Sequence, residues 1–199
     1  MIKERIPQRF GIASKDIQVL TPMNRGACGT EALNKHLQSA LNNMHKPQFK
    51  FGESRFVLGD RVIQTVNNYD KQVFNGDLGY ITDVQSSKKS FTITFDSGPT
   101  IYEYEEATQI KLAYAITIHK SQGSEFPAVI VPMTMQHFVM LRKNLLYTAV
   151  TRAKNLLVLC ASPKAIGMAV RNVGKNKRFT LLRPRLRNEL KGSQLELFE

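Results

Sequence analysis

Apolar and polar positions along this chain follow two rhythms that alternate in blocks. "DIQVLTPM" (Asp16 to Met23) is a short apolar run bounded by turn residues, the pattern of a buried parallel strand. After Gly26 and Gly29, "TEALNKHLQSALNNM" sets Leu33, Leu37 and Leu41 at four-residue spacing, which predicts an amphipathic helix. Strand, glycine-containing turn and helix together open an α/β unit. Between about Ser54 and Ala107 the rhythm changes. "RVIQTV", "YITDVQ", "FTITFD" and "TIYEY" are short and alternating or β-branched, with turn signals between them at Asn75-Gly76-Asp77, Ser86-Ser87 and Asp96-Ser97-Gly98-Pro99. Such a series predicts a small closed barrel.

From about Thr108 to Val173 the α/β rhythm returns. "YAITIHKSQG" reads as a helix and "AVIVPM" as a buried strand. "RKNLLYTAVTRAK" reads as a second helix, with Leu145, Leu146, Ala149, Val150 and Ala153 on its buried face and Thr148, Thr151 and Arg152 on or near the other. "NLLVLCA" then reads as a second buried strand, and Ser162 caps a helix with Pro163 at its first position. The expected organisation is an α/β domain over residues 1–53 and 108–174, a β-barrel insert over 54–107, and a basic tail of little order over 175–199.

Composition narrows the partners. The 199 residues suffice for one domain with a small insert, and no stretch approaches the roughly 20 apolar residues that span a bilayer. The opening "MIKERIPQRF" has no apolar signal core, so a cytoplasmic protein with no membrane partner is expected. Cys28 and Cys160 lie far apart with no CxxC pairing and are expected as reduced, buried thiols, with no metal site. Lys and Arg total 28 against 16 Asp and Glu, a net +12, which points to a polyanion such as nucleic acid, or to a solvated basic surface. Part of that excess is one run, Lys175 to Arg187.

Three strings carry candidate chemistry. "TIHKSQGSEF" (Thr117 to Phe126) gathers hydroxyl, imidazole, ammonium and amide groups at the expected end of a helix, ahead of Gly123 and Glu125. Gly123 lets backbone approach a ligand, and Glu125 can accept hydrogen bonds from ribose hydroxyls. "LLYTAVTRAKN" holds Arg152, a side chain suited to a transferring phosphate, or else simply an exposed helix arginine. "TPMNRGACGTEALN" sets Asn24 and Arg25 at the C-terminal end of a parallel strand, where open α/β sheets bind ligands. In the barrel segment, Asn67, Asn68, Tyr69, Phe74 and Asn75 cluster near a loop. The two aromatics there either stack on a base or plug the small barrel.

Taken together these strings resemble a known family. "AYAITIHKSQGSEF" followed by "LLYTAVTRAK" is similar to motifs V and VI of superfamily-1 helicases, and "VLTPMNRGACGTEALNKHLQ" resembles motif IV of their RecD-like branch. "GDRVIQTVNNYDKQVFNGDLGYI" (Gly59 to Ile81) resembles the barrel inserted in that branch, so the likeness covers roughly Asp16 to Thr180. It implies a RecA-like parallel sheet flanked by helices, the second of two such motor domains, carrying an inserted small antiparallel β-barrel of the Src-homology-3 type. It implies ATP with magnesium between the two domains, single-stranded DNA across both, and 5′ to 3′ movement in recombination or repair. By the same likeness Arg152 matches the motif VI arginine finger, and Arg25 an arginine that approaches the γ-phosphate. Gln122, Gly123 and Glu125 match positions near ribose and phosphates, and Thr117 and His119 match positions facing the DNA backbone.

A motor ATPase also needs a glycine-rich loop ending in Gly-Lys-Ser/Thr, and acidic magnesium ligands. This sequence has no such loop; its Gly174-Lys175 is followed by Asn176. The expected reading is a C-terminal portion that is inactive alone and works with an N-terminal RecA-like domain, possessing the arginine finger but not the phosphate loop. The alternatives are a non-catalytic module binding single-stranded nucleic acid, and a docking module for other helicase or nuclease subunits through the terminal "GSQLELFE" with Leu195, Leu197 and Phe198.

Overall fold

The structure is a computed structural model that describes residues 1–172, so the basic run Lys175 to Arg187 and the terminal Leu195, Leu197 and Phe198 lie outside the described residues. Its centre is a four-stranded sheet built from β1 (Ile17–Thr21), β9 (Ala115–Thr117), β10 (Phe126–Met133) and β11 (Ala153–Ala161), in the order β11-β10-β1-β9. All three pairings are parallel. Side chains alternate faces along these strands. Ile17, Val19, Ala128 and Ile130 meet helix α1 (Arg5–Phe10) and helix α2 (Thr30–Leu41) through Ile6, Leu33 and Leu37. Leu20, Ile116, Val129, Val131 and Met133 meet α3 (Lys143–Val150) and α4 (Pro163–Arg171) through Leu145, Ala149, Ala165 and Ala169. The expected cap of α4 is present, with the Ser162 hydroxyl accepting from Ala165 N–H at 3.2 Å.

Of two expected helices, one is not an α-helix and the other is shorter than its pattern. "YAITIHKSQG" is strand β9 followed by one 3-10 turn, His119–Ser121. An apolar run this short fits strand or helix equally, and pairing with β1 decides it. Helix α3 stops at Val150, because the Arg152 carbonyl accepts from Phe126 N–H (2.9 Å) and the chain enters β11 at once. Arg152 therefore sits in a connection, Ala153 in a strand, and Val150 is exposed. Among the described residues strand β11 is a sheet edge and only half-buried, which leaves Cys160 exposed; Cys28, in the loop before α2, is half-buried, and both are free thiols. The expectation of two buried thiols does not hold.

The all-β region runs from β2 (Gln48–Phe51) and β3 (Ser54–Val57) through β4 (Arg61–Gln64), β5 (Leu78–Gln85), β6 (Ser90–Phe95) and β7 (Gly98–Glu103) to β8 (Ile110–Leu112). Five of these strands form an antiparallel sheet, β7-β6-β5-β4-β8, and β2-β3 is a hairpin laid across it. Phe49 of that hairpin stacks on Phe56, Phe91 and Tyr104, and Tyr102 fills the interior beside Phe91. "QFKF" and "IKL" are too short to show alternation, so the β region extends past the expected 54–107 at both ends.

Helix α2 carries a second departure. Its leucines do pack on the sheet, yet its most buried residues are Thr30, Asn34 and Gln38. The reason lies in the sheet edge. Among the described residues strand β9 has no neighbour beyond it, and its backbone groups need partners. The Asn34 amide meets both groups of Ala115, donating to its carbonyl (2.9 Å) and accepting from its N–H (2.8 Å). Gln38 donates to the Asp60 carboxylate at 2.5 Å. Asp60 is fully buried and also accepts from Asn42 (2.8 Å), Val57 N–H (2.7 Å) and the Tyr114 hydroxyl (2.9 Å). Burial, then the Asp60 charge, pushes the Tyr114 phenol well above its usual range, which keeps it a donor. Beside this knot Arg61 donates to the Lys15 carbonyl and lies over the rings of Tyr80 and Phe126. The seam between β-barrel region and parallel sheet is thus polar and bonded from both sides.

Candidate nucleotide and nucleic-acid site

Strand β1 is the switch point of the sheet: β9 flanks it on one side and β10 on the other. The link from β9 to β10, residues 118–125, crosses the sheet with no α-helix, so it starts at the C-terminal end of the strands and finishes at the N-terminal end. The candidate residues accordingly divide between two ends.

At the N-terminal end lie Gly123, Glu125 and Arg152. Gly123 has φ +86°, a conformation other residues rarely adopt, and open space around it. Glu125 is exposed and pairs with Lys154 at 3.6 Å. The Arg152 guanidinium donates to the Ser124 carbonyl (2.9 Å) and to the Thr151 hydroxyl (3.3 Å), while its buried Nε has no acceptor. Ser124 and Lys154 are members of this group that sequence reasoning misses. Lys154 follows Arg152 closely in "TRAK", but only the parallel pairing of β10 with β11 brings it to Glu125.

At the C-terminal end lie Asn24, Arg25 and Thr117. The loop after β1 folds back on the start of α2, whose first N–H groups donate to its carbonyls: Thr30 to Met23 (3.2 Å) and Glu31 to Asn24 (3.1 Å). A side chain on Gly29 would run into the carbonyl oxygens of Asn24 and Arg25, so glycine is required there. The Arg25 side chain is exposed. Strands β1, β10 and β11 are parallel and β11 opens right after Arg152, so roughly 20 Å of sheet separates Arg25 from Arg152. The structure does not bring the two arginines together.

His119 and Gln122 line a small pocket with Arg142, Asn144 and Thr148, about 180 Å³ in volume. Thr117 opens instead on a larger groove beside α2. In the β4–β5 loop Tyr69 is 73% exposed and Phe74 46%, their rings edge to face at 6.0 Å, so the barrel is plugged by Val73 and Tyr102 and not by them. Asn68 braces the loop, donating to Gln109 and accepting from Lys71 N–H. Asn67 accepts from Asn75 N–H (2.9 Å), which braces the tip.

A parallel sheet with helices on both faces, ligand-type residues at its switch point and a β-module inserted between strands defines a RecA-like motor-domain architecture. Comparison with known proteins agrees. Residues 33–95 match the ATP-dependent RecD-like DNA helicase SH3 domain, and residues 112–160 match the UvrD-like helicase C-terminal domain. The chain is 36% identical over 166 residues to the ATP-dependent RecD2 DNA helicase of Deinococcus radiodurans, covering 83% of this chain and 23% of that protein. It is 29% identical over 184 residues to the RecBCD enzyme subunit RecD of Mycolicibacterium smegmatis, covering 90% of this chain and 31% of that protein. A Bacteroides Pif1 structure bound to ssDNA superposes with a TM-score of 0.58 at 20% identity, over 88% of this chain and 46% of that one, which is a likeness of fold. The chain belongs to the RecD-like helicases and spans about a quarter of the length of these curated relatives. Among the described residues, no helix is long and apolar enough to cross a membrane.

Proposed function

We propose that this chain is the second motor domain and inserted barrel of an ATP-dependent 5′ to 3′ DNA helicase acting in recombination or repair in the cytoplasm. Gln122, Gly123 and Glu125 face the nucleotide, with Gly123 backbone near phosphate and Glu125 near ribose. Arg152 is the arginine finger for the γ-phosphate. ATP with magnesium supplies the cleavable anhydride, and its phosphate loop and metal ligands come from an N-terminal RecA-like domain. Arg25, an expected second γ-phosphate arginine, belongs instead with Thr117, His119, Asn68, Tyr69, Phe74 and Asn75 on the single-stranded DNA side, because the length of the sheet lies between it and Arg152. Other helicase or nuclease subunits are further candidate partners.

The observation that carries this reading is Arg152 itself. Its guanidinium is held at the glycine-bearing segment by the Ser124 carbonyl, yet one N–H donor has no acceptor. A half-satisfied arginine at that position suits an anion arriving from a second domain. The test is ATPase activity on mixing the chain with a RecA-like domain that carries a phosphate loop. DNA-stimulated hydrolysis is expected only in the mixture, and Arg152→Ala lowers it about a thousandfold. Hydrolysis by the chain alone, or an unaffected Arg152→Ala mixture, overturns the reading.

A further inference from the structure

Arg61 is an unexpected residue for the seam it occupies. It belongs to the barrel region, fixed there by pairing with Tyr80 on β5 and by its carbonyl, which accepts from Ala113 N–H at 2.8 Å. Its buried side chain leaves that region and reaches the start of the parallel sheet. The guanidinium donates to the carbonyls of Lys15 (3.1 Å) and Ile17 (3.4 Å), and the Tyr80 hydroxyl donates to the same Lys15 carbonyl (3.1 Å). It also lies 5.7 Å from the centre of the Phe126 ring and 5.9 Å from that of Tyr80. Packing does not call for a charge there. An apolar side chain of similar volume would seal the seam without taking a cation out of water. Among the described residues no carboxylate lies within ion-pair distance of Arg61, and its buried Nε has no acceptor. Burial also weakens its hold on its proton. What a guanidinium adds is direction, because its planar fork fixes two carbonyls and a ring at set angles.

The ring it fixes belongs to the segment that holds Arg152. Phe126 follows Glu125 and opens β10. Its N–H donates to the Arg152 carbonyl at 2.9 Å. Two residues earlier, the Ser124 carbonyl accepts from the Arg152 guanidinium at 2.9 Å. One side chain of the barrel region therefore bears on Arg152 at both its backbone and its guanidinium. We infer that Arg61 is a positioning residue that ties Arg152 to the barrel region, so that a shift of that region moves the arginine finger. The inference rests on the role proposed above for Arg152. Arg61 contributes no group to the reaction; it sets where Arg152 stands.

The first readout is amide hydrogen exchange of this chain alone, comparing the parent with Arg61→Met and Arg61→Lys. Losing the fork's hydrogen bonds and its contact with the ring should speed exchange about tenfold at Phe126 and its neighbours in Arg61→Met, and less in Arg61→Lys. Exchange in β6 and β7 should stay as it is. Phe126→Leu keeps the N–H but removes the ring, and gives the same local change should Arg61→Met fold poorly. The second readout is ATPase activity in the mixture with a RecA-like domain. Arg61→Met lowers kcat about tenfold with KM for ATP unchanged, and has no further effect in an Arg152→Ala background, because it acts through that residue. A merely structural Arg61 would lower activity equally in both backgrounds. Unchanged exchange at Phe126, exchange that quickens uniformly over the chain, or an equal loss of kcat with and without Arg152 each overturn the inference and leave the Arg152 test intact. Local quickening with no ATPase from the parent mixture supports the tie between Arg61 and Arg152 and sinks the motor.

Discussion

Replacing Asp60 with alanine tests the seam between barrel region and parallel sheet. The carboxylate accepts four hydrogen bonds, from Gln38, Asn42, Val57 N–H and Tyr114. Asn42 and Tyr114 are only half-buried and can find water once the carboxylate is gone, whereas Val57 and Gln38 are buried and cannot. Two stranded donors at about 2 kcal/mol each give a loss of about 4 kcal/mol. The sum of all four bonds overstates the effect, because removing a buried carboxylate also removes its desolvation penalty. For a chain this long, that loss lowers the melting temperature by about 8–16 °C. Urea titration and thermal melting measure it directly. Asp60→Asn keeps one acceptor and should lose about half as much. A change below about 1 kcal/mol for Asp60→Ala would mean that the four hydrogen bonds do not hold the seam.

Three other outcomes are expected. Asn34→Ala strands both backbone groups of Ala115 and should cost about 2–4 kcal/mol in the same urea titration, while a solvent-facing helix position would lose almost nothing. Tyr69→Ala removes an exposed ring, so stability should stay within about 0.5 kcal/mol. Oligonucleotide affinity should nonetheless fall by about 1–3 kcal/mol, and unaltered anisotropy would remove the tip from the binding surface. Burial lowers the proton affinity of His137, so the unfolded chain binds its proton more readily than the folded one. Stability from this residue is therefore full above about pH 6.5 and is lost as pH falls below it. Urea midpoints for the parent should drop more between about pH 7.5 and about pH 5.5 than those of His137→Gln, and parallel curves would refute the assignment.

Much of the architecture is legible in the chain. "DIQVL" and "AVIVPM" announce parallel strands because strands covered on both faces need continuous apolar runs, and "NLLVLCA" is as apolar although its strand is only half-buried. The motif strings announce the switch point because polar residues cluster there, with glycine where backbone must turn tightly. What escapes has a common cause. Asn34 and Gln38 read as the wet side of a helix, since a polar residue facing a sheet edge looks the same in sequence as one facing water. "YAITIHK" has no periodicity of its own to settle it, and pairing with β1 is a long-range fact. The separation of Arg25 from Arg152 is hidden for the same reason, because motif order along a chain does not say at which end of a sheet each motif lies.

The amide of Asn34 has one more effect. By occupying both free groups of Ala115 it acts as a terminator at the start of β9, and opposes lengthening of the sheet on that side. Growth is favoured beside β11, which has β10 on one flank and, among the described residues, nothing on the other. The rim at β11 is therefore the readier template for an additional strand, whether from another domain of the protein or from a misassembled neighbour. Leu159 and Cys160 lie exposed along it, so a reducing agent and low protein concentration are the conditions under which this chain should be handled.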